Sequence, residues 1–497
     1  MDEILAALPL LFNVQTMLCM LLGIVVGILF GAVPGFTGVM AIAIILPFTF
    51  SLEPTSGIVM LFSCFCGGCF GGSITAILIG TPGAPEAAAT VKDGYQLSLQ
   101  GQSYKAILMA VFASCVGGVI SAVLLMILAP VIAEWTLMFA PPEYFVLGIF
   151  GISVIAGLNE GSLLIGVAFG LVGILLSMIG MDAQSGIQRF TFGNLELYSG
   201  LSLTPMILGI FALNRIFKGF ESRGVKGELG EAVTLSKEKP TRKEYRDCFG
   251  PIARGTIIGS IIGAIPAAGA AIAAFIAYNM EKVLGKNREK LGTGVLEGVA
   301  APESANNAVT GTSLIPLLTL GIPGSGGAAA LLGAFMMHGL APGPFLFRNN
   351  ATTMYAIMFG FILANIMLYV VVRVMVKGFV HITRVPEAAL ITVLFVICLA
   401  GAYCGKTSWF DVMVTITVGI AAYLLSKLNV PMIPFILGFI LGPTIETNFR
   451  KAMIMSNGDA TIFVTRPICI ILIALTVLML IGTKAMNNSM KDPAAKK

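Results

Sequence analysis

Gly23-Ile24-Val25-Val26-Gly27-Ile28-Leu29-Phe30-Gly31-Ala32-Val33-Pro34 and Gly255-Thr256-Ile257-Ile258-Gly259-Ser260-Ile261-Ile262-Gly263-Ala264-Ile265-Pro266 share the pattern G-x-x-x-G-x-x-x-G-A-x-P, every matched residue at an offset of 232. A glycine at every fourth position lines one helix face, and the proline breaks the helix that follows. Small residues at this spacing also serve helix packing alone, but the coincident prolines favour a duplicated unit. A second pair follows in the same order. Gly71-Gly72-Ser73 leading to Gly80-Thr81-Pro82-Gly83 resembles Gly311-Thr312-Ser313 leading to Gly321-Ile322-Pro323-Gly324, with one inserted residue.

The surroundings of these motifs are a membrane's. Of 497 residues, 57% are apolar and only 11% charged, against about 25% charged in soluble domains. Apolar stretches repeatedly exceed the roughly 18 residues a spanning helix needs. No ten-residue alternation of the barrel kind is visible, so helices are the expected way to satisfy the backbone in lipid. The expected fold is an all-α polytopic membrane protein of about 10–13 transmembrane or re-entrant helices, in two inverted-topology repeats with Pro/Gly-broken helices. The acidic start Met1-Asp2-Glu3 lacks the basic region of a cleaved leader, so the first apolar run is expected to stay. Eight of the nine cysteines sit in or beside apolar segments, and no disulfide is expected.

The longest polar interval divides the chain into an N-terminal membrane repeat (1–217), a basic linker (218–254), and a C-terminal membrane repeat with terminal helices (255–497). From Arg215 to Arg254 it carries ten Lys/Arg against six Asp/Glu, which places it in the cytoplasm. Glu281 to Lys290 is basic again. A helical hairpin reversing at Pro266 would keep both basic segments on one face, whereas a single crossing would separate them.

Four Pro/Gly breaks interrupt the apolar segments: Pro34 to Gly38, Thr81 to Pro85, Pro266 to Gly269, and Ile322 to Gly327. Unwound backbone at membrane depth survives only when buried in protein or lining a cavity. The half-helix ends it creates suit anions at N-termini and cations at C-termini. Glu303, Asn306, Asn307 and Thr310 precede the last break at i, i+3, i+4 and i+7, and so share a helix face. Substrate contacts are therefore expected at Pro34, Gly35, Thr37, Ser73, Pro82, Gly83, Asn306, Asn307, Pro323, Gly324 and Ser325. Coupling-ion contacts are expected at Thr75, Ala267, Gly269, Glu303, Thr310 and Ser313. The breaks at Pro82-Gly83 and Pro323-Gly324 are expected to face one another across a cavity and hold carboxylates by backbone N–H groups.

Other chemistries fit poorly. Two histidines cannot build a His-rich zinc site, and Cys64, Cys66 and Cys69 would need to be thiolates inside an apolar helix. No G-x-x-x-x-G-K-[ST] loop occurs, so transport would run on an ion gradient, Na⁺ or H⁺, with no cofactor. The net charge of +5 fits basic cytoplasmic loops, and no nucleic-acid partner is implied.

Gly31-Ala32-Val33-Pro34-Gly35-Phe36-Thr37-Gly38, Gly71 to Gly83 with Asp93-Gly94-Tyr95, and Ala301-Pro302-Glu303-Ser304-Ala305-Asn306-Asn307 running to Leu320-Gly321-Ile322-Pro323-Gly324-Ser325 together resemble the large membrane subunit of the tripartite tricarboxylate transporter family. The resemblance implies a multi-pass symporter subunit in the bacterial inner membrane. It implies a small four-helix membrane subunit and a periplasmic solute-binding protein as partners, and citrate or another carboxylate as cargo.

Overall fold

The computed structural model describes residues 2–33, 35–158, 163–182, 184–221, 238–266, 269–382 and 387–491. Ahead of the linker the helices are α1 (Asp2–Leu11), α2 (Val14–Gly31), α3 (Gly38–Ile45), α4 (Pro54–Ile79), α5 (Ala88–Leu99), α6 (Ser103–Thr136), α7 (Pro141–Leu158), α8 (Leu163–Ser177), α9 (Leu203–Ile207) and α10 (Asn214–Glu221). From the linker onward they are α11 (Arg242–Asp247), α12 (Phe249–Ala264), α13 (Gly269–Leu284), α14 (Glu297–Thr312), α15 (Leu314–Leu320), α16 (Gly326–Met337), α17 (Pro344–Asn349), α18 (Ala351–Ile382), α19 (Glu387–Lys406), α20 (Trp409–Lys427), α21 (Met432–Met455), α22 (Ile462–Thr465) and α23 (Pro467–Lys491). Among the described residues seven helices are long and apolar enough to cross a membrane, and six shorter apolar helices accompany them. The chain is an all-α polytopic membrane protein.

The chain forms two compact units, one from Met1–Ala133 and Phe211–Thr407, the other from Glu134–Ile210 and Ser408–Lys497. Each unit takes chain from both sides of the linker.

In the first unit the duplicated motif is a packing device. A Cβ on Gly23 or Gly27 of α2 would fall 2.2 or 2.3 Å from the carbonyl oxygens of Met60 and Cys64 on α4. On Gly255 or Gly259 of α12 it would fall 2.3 or 2.2 Å from those of Ala301 and Ala305 on α14. Met60 to Ala301 and Cys64 to Ala305 are both steps of 241 residues, so α2 on α4 and α12 on α14 are one arrangement built twice. The same step carries the breaks. Gly83 packs on the Gly31 carbonyl and Gly72, and Gly324 on the Gly263 carbonyl and Ser313. The spatial mate of Ser313 is thus Gly72 rather than Ser73, and the inserted residue suggested by the motif match disappears.

Helix ends follow the local sequence. Pro54 opens α4, where its missing N–H costs nothing, and Gly80 (φ +68°) closes it. Gly321 (φ +73°) closes α15 at the same point of the second copy. Helices α12 and α13 fold back on each other, with Arg254 near the start of one paired to Glu281 near the end of the other, Nε to Oε1 at 2.7 Å and Nη2 to Oε2 at 2.9 Å. That pair joins the two ends of a hairpin reversing near Pro266. At 16 residues each, its arms are about 24 Å long, short of a roughly 30 Å hydrocarbon core.

In the second unit α21 packs on α7 and α8, and α23 on α7. A Cβ on Gly438 would fall 2.0 Å from the Gly170 carbonyl oxygen, so these backbones touch. A two-stranded hairpin, β1 (Gly180–Met181) with β2 (Gln188–Arg189), carries Asp182 and Arg189 into an ionic cluster with Glu446 and Arg450.

Candidate functional site

Among the described residues the first unit buries three carboxylates, Asp93, Glu281 and Glu303; Glu281 closes the hairpin of α12 and α13, and the other two serve α14. Asp93, on α5, accepts the Tyr278 hydroxyl at 2.8 Å and the backbone N–H groups of Gly292, Gly294 and Val295 at 2.8, 2.9 and 3.0 Å. This carboxylate fixes the loop that leads into α14. Its neighbour Lys92 lies over the rings of Phe275 and Tyr278, 5.4 and 4.9 Å from their centroids.

Glu303, fully buried on α14, accepts three hydroxyls: Ser73 of α4 at 2.5 Å, Thr90 of α5 at 2.5 Å and Ser114 of α6 at 3.1 Å. A buried carboxylate is tolerated only with such compensation, and here it comes from three helices of the N-terminal half. Ser73 and Glu303, 230 residues apart, form one feature. Thr90 and Ser114 carry no sequence signal beyond being hydroxyls in apolar surroundings.

One turn further along α14, Asn306 Nδ2 donates to the Cys69 carbonyl at 3.1 Å. Thr310 donates to the Asn307 carbonyl at 2.6 Å, and Ser313 to the Thr310 carbonyl at 3.3 Å. The Cys66 thiol neighbours Thr310 and Asn365 of α18. Thr75 turns back to the Gly72 carbonyl at 3.2 Å.

The breaks are ordered by caps and close contacts. Ser325 caps α16, accepting from the Ala328 N–H at 3.1 Å, and Thr37 caps α3, accepting from the Met40 N–H at 3.3 Å. The Gly35 N–H donates to the Gly83 carbonyl at 3.3 Å, which joins the two breaks of the first half. Pro82 is half-buried and Pro323 buried. Gly269 (φ +75°) opens α13. Pro34 and Ala267 lie outside the described residues.

Sequence reasoning missed Arg215. Its guanidinium, from α10, lies against the first break, such that a Cβ on Gly35 would fall 1.7 Å from Nη2, and Cζ is 5.7 Å from the Phe36 ring centroid. A cation therefore sits against Gly35 in the first break, although the break itself contains none. The tertiary contact leaves no mark in the local sequence.

Paired Pro-Gly breaks and half-length helices in an all-α membrane chain are features that transporter folds share. The family described as the tripartite tricarboxylate transporter TctA family matches residues 17–437. The chain belongs to that family. It is 38% identical over 457 residues, 91% of its own length and 90% of the relative's, to the "Uncharacterized 52.8 kDa protein in TAR-I ttuC' 3'region" of Agrobacterium vitis. It is 39% identical over 223 residues, 45% of its length and 92% of the relative's, to the "Uncharacterized protein in TAR-II ttuC' 3'region" of the same organism. No solved structure matches the chain. As a TctA-family member it is a multi-pass membrane protein of a transporter family whose systems have three components.

Proposed function

We propose that this TctA-family chain is the large permease subunit of an ion-gradient-driven symporter, and not an enzyme. It imports a tricarboxylate or related carboxylate, handed over by a periplasmic solute-binding protein, and works beside a small four-helix membrane subunit in the bacterial inner membrane. The observation that carries this reading is the pair of Pro-Gly breaks held by the same contacts in both halves, Gly83 on Gly31 and Gly324 on Gly263. Interrupted helices at corresponding positions of two repeats are where such transporters bind substrate. The two halves enter the membrane from opposite faces, and the Pro82-Gly83 and Pro323-Gly324 breaks face one another across the substrate path.

The substrate's charge is met by the capped N-termini of α3 and α16 together with Arg215 at Gly35. The coupling ion, Na⁺ or H⁺, balances the remainder. Uptake of radiolabelled citrate by proteoliposomes holding all three components tests this reading. Accumulation above the external concentration, only when a Na⁺ or proton gradient is imposed, supports it. Downhill flux indifferent to any gradient would make the protein an anion channel or exchanger instead.

A further inference from the structure

Three fully buried carboxamides in the first unit are short of partners. Among the described residues, the side-chain atoms buried without a hydrogen bond include Asn306 Oδ1, Asn365 Oδ1, and both Oδ1 and Nδ2 of Asn307. Each such group costs about 1–3 kcal/mol in a dry interior, so four together on neighbouring side chains call for a ligand. The orientation of two amides is fixed by their nitrogens. Asn306 Nδ2 donates to the Cys69 carbonyl and Asn365 Nδ2 to the Phe361 carbonyl at 2.9 Å, which leaves both oxygens as the open ends.

Two of these side chains, together with Thr310, border one turn of α4, and Asn307 follows Asn306 directly on α14. Asn306 touches it at Cys69, and Thr310 and Asn365 lie beside Cys66. Helix α6 closes a further side, since a Cβ on its Gly118 would fall 1.8 Å from Asn365 Oδ1. Oxygen acceptors outnumber donors here, and Glu303 stands one turn before Asn307 on the same helix. A substrate carboxylate would meet three open acceptor oxygens against a single open donor, Asn307 Nδ2, so this lining disfavours an anion. Uncharged oxygens suit a hard cation. Of the two carboxylates within electrostatic reach of Cys69, Glu303 is already occupied by three hydroxyls and Glu86 lies on the segment after the Pro82-Gly83 break. With no cluster of three His, Cys, Asp or Glu among the described residues to hold a divalent ion, the carboxamide oxygens suit a monovalent one.

We propose that Asn306, Asn307 and Asn365 form a Na⁺ site through their carboxamide oxygens, between α4, α14 and α18. This rests on the symport reading and deepens it by naming the ion and the side chains that hold it. Asn306 and Asn307 then bind the coupling ion rather than the substrate.

The test is Na⁺-dependent thermal stabilisation of the full-length chain in detergent, with NaCl titrated against choline chloride at constant ionic strength. Na⁺ should raise the melting temperature saturably and choline should not. Asn307→Ala and Asn365→Ala should each raise the half-saturating Na⁺ concentration at least about tenfold. The isosteric Asn307→Asp, which retains shape and adds a negative charge, should lower it. A wild type indifferent to Na⁺, or the same half-saturation in all three variants, overturns the site. Citrate accumulation by the three-component proteoliposomes on a proton gradient without Na⁺ would overturn the site and leave the symport reading standing. Saturable, Asn307-dependent Na⁺ stabilisation without any uptake would uphold the site and remove the symport reading.

Discussion

Helices α4 and α14 occupy the same place in the two copies, each receiving the glycine face of a preceding helix, yet their interiors differ in kind. At the 241-residue step Phe62 matches Glu303, Phe65 matches Asn306, Cys66 matches Asn307 and Cys69 matches Thr310. Phe62 packs among Phe335 and Phe361, with ring centroids 5.8 and 5.2 Å away. Glu303 instead gathers three hydroxyls. The contacts that hold the backbones are duplicated, and the polar chemistry is not. Packing is under the same geometric constraint in both copies, because carbonyl oxygens approach glycine Cα atoms directly. Side chains facing the interior are free of that constraint, so one copy became apolar support and the other a polar lining.

The largest expected effect tests the duplicated packing. Gly83→Val should remove folded protein from the membrane, since even a Cβ would fall 2.0 Å from the Gly31 carbonyl oxygen. At the mate, Gly324, the nearest atoms are Ser313 Cβ at 3.0 Å and the Gly263 carbonyl at 3.1 Å. Gly324→Ala should therefore fold with a loss of about 1 kcal/mol, against about 3 kcal/mol or more for Gly83→Ala. Thermal unfolding of both alanine variants, monitored by fluorescence-detected size exclusion, would break the comparison if Gly324→Ala proved the worse.

A second effect falls on the apolar copy. Phe62→Ala empties a fully buried ring site and should cost about 3–5 kcal/mol, read as a lowered melting temperature. A third concerns the anchoring of α14. Asp93→Asn places an amide among four donors and should cost about 2–3 kcal/mol, with faster proteolysis between Leu284 and Glu297. Unchanged proteolysis would show that the loop holds without this carboxylate.

The smallest effect lies in the second unit. The Ser185 hydroxyl, with Arg450 and Arg189, holds Asp182 below the usual carboxylate range. A depressed folded-state pKa contributes stability above the unfolded value, near 3.9, and loses it as pH falls through the folded value. The melting-temperature difference between wild type and Asp182→Asn should therefore be small at pH 7 and shrink below about pH 4. A difference that grows on acidification would contradict the assigned cause.

The sequence displays what backbone contact dictates. Glycines at Gly23, Gly27 and Gly31 and their mates are visible because no other residue type fits. The hairpin at Pro266 is visible because charge at both its ends argues for one face. The register of the second motif is one residue off when read from sequence, since Gly-Gly-Ser and Gly-Thr-Ser look alike and only the contact of Gly83 with Gly72 separates them. Ser73 and Glu303 both stand out in the sequence, in separate roles, because nothing local says that they touch. Asn365 and Ser114 are single polar residues within long apolar helices and carry no pattern. Arg215 reaches the first break only through tertiary folding.

The account's central claim is that the scaffold is duplicated while the buried polar chemistry of α14, Glu303 above all, has no counterpart on α4. Citrate uptake per folded transporter, compared between Glu303→Gln and its mate Phe62→Leu, tests it most directly. Both substitutions conserve approximate volume, so both should yield folded protein. The account predicts a loss of at least about tenfold for Glu303→Gln, equivalent to about 1.4 kcal/mol, and uptake within about twofold of wild type for Phe62→Leu. Equal losses in the two variants, or near-normal uptake by Glu303→Gln, would contradict it.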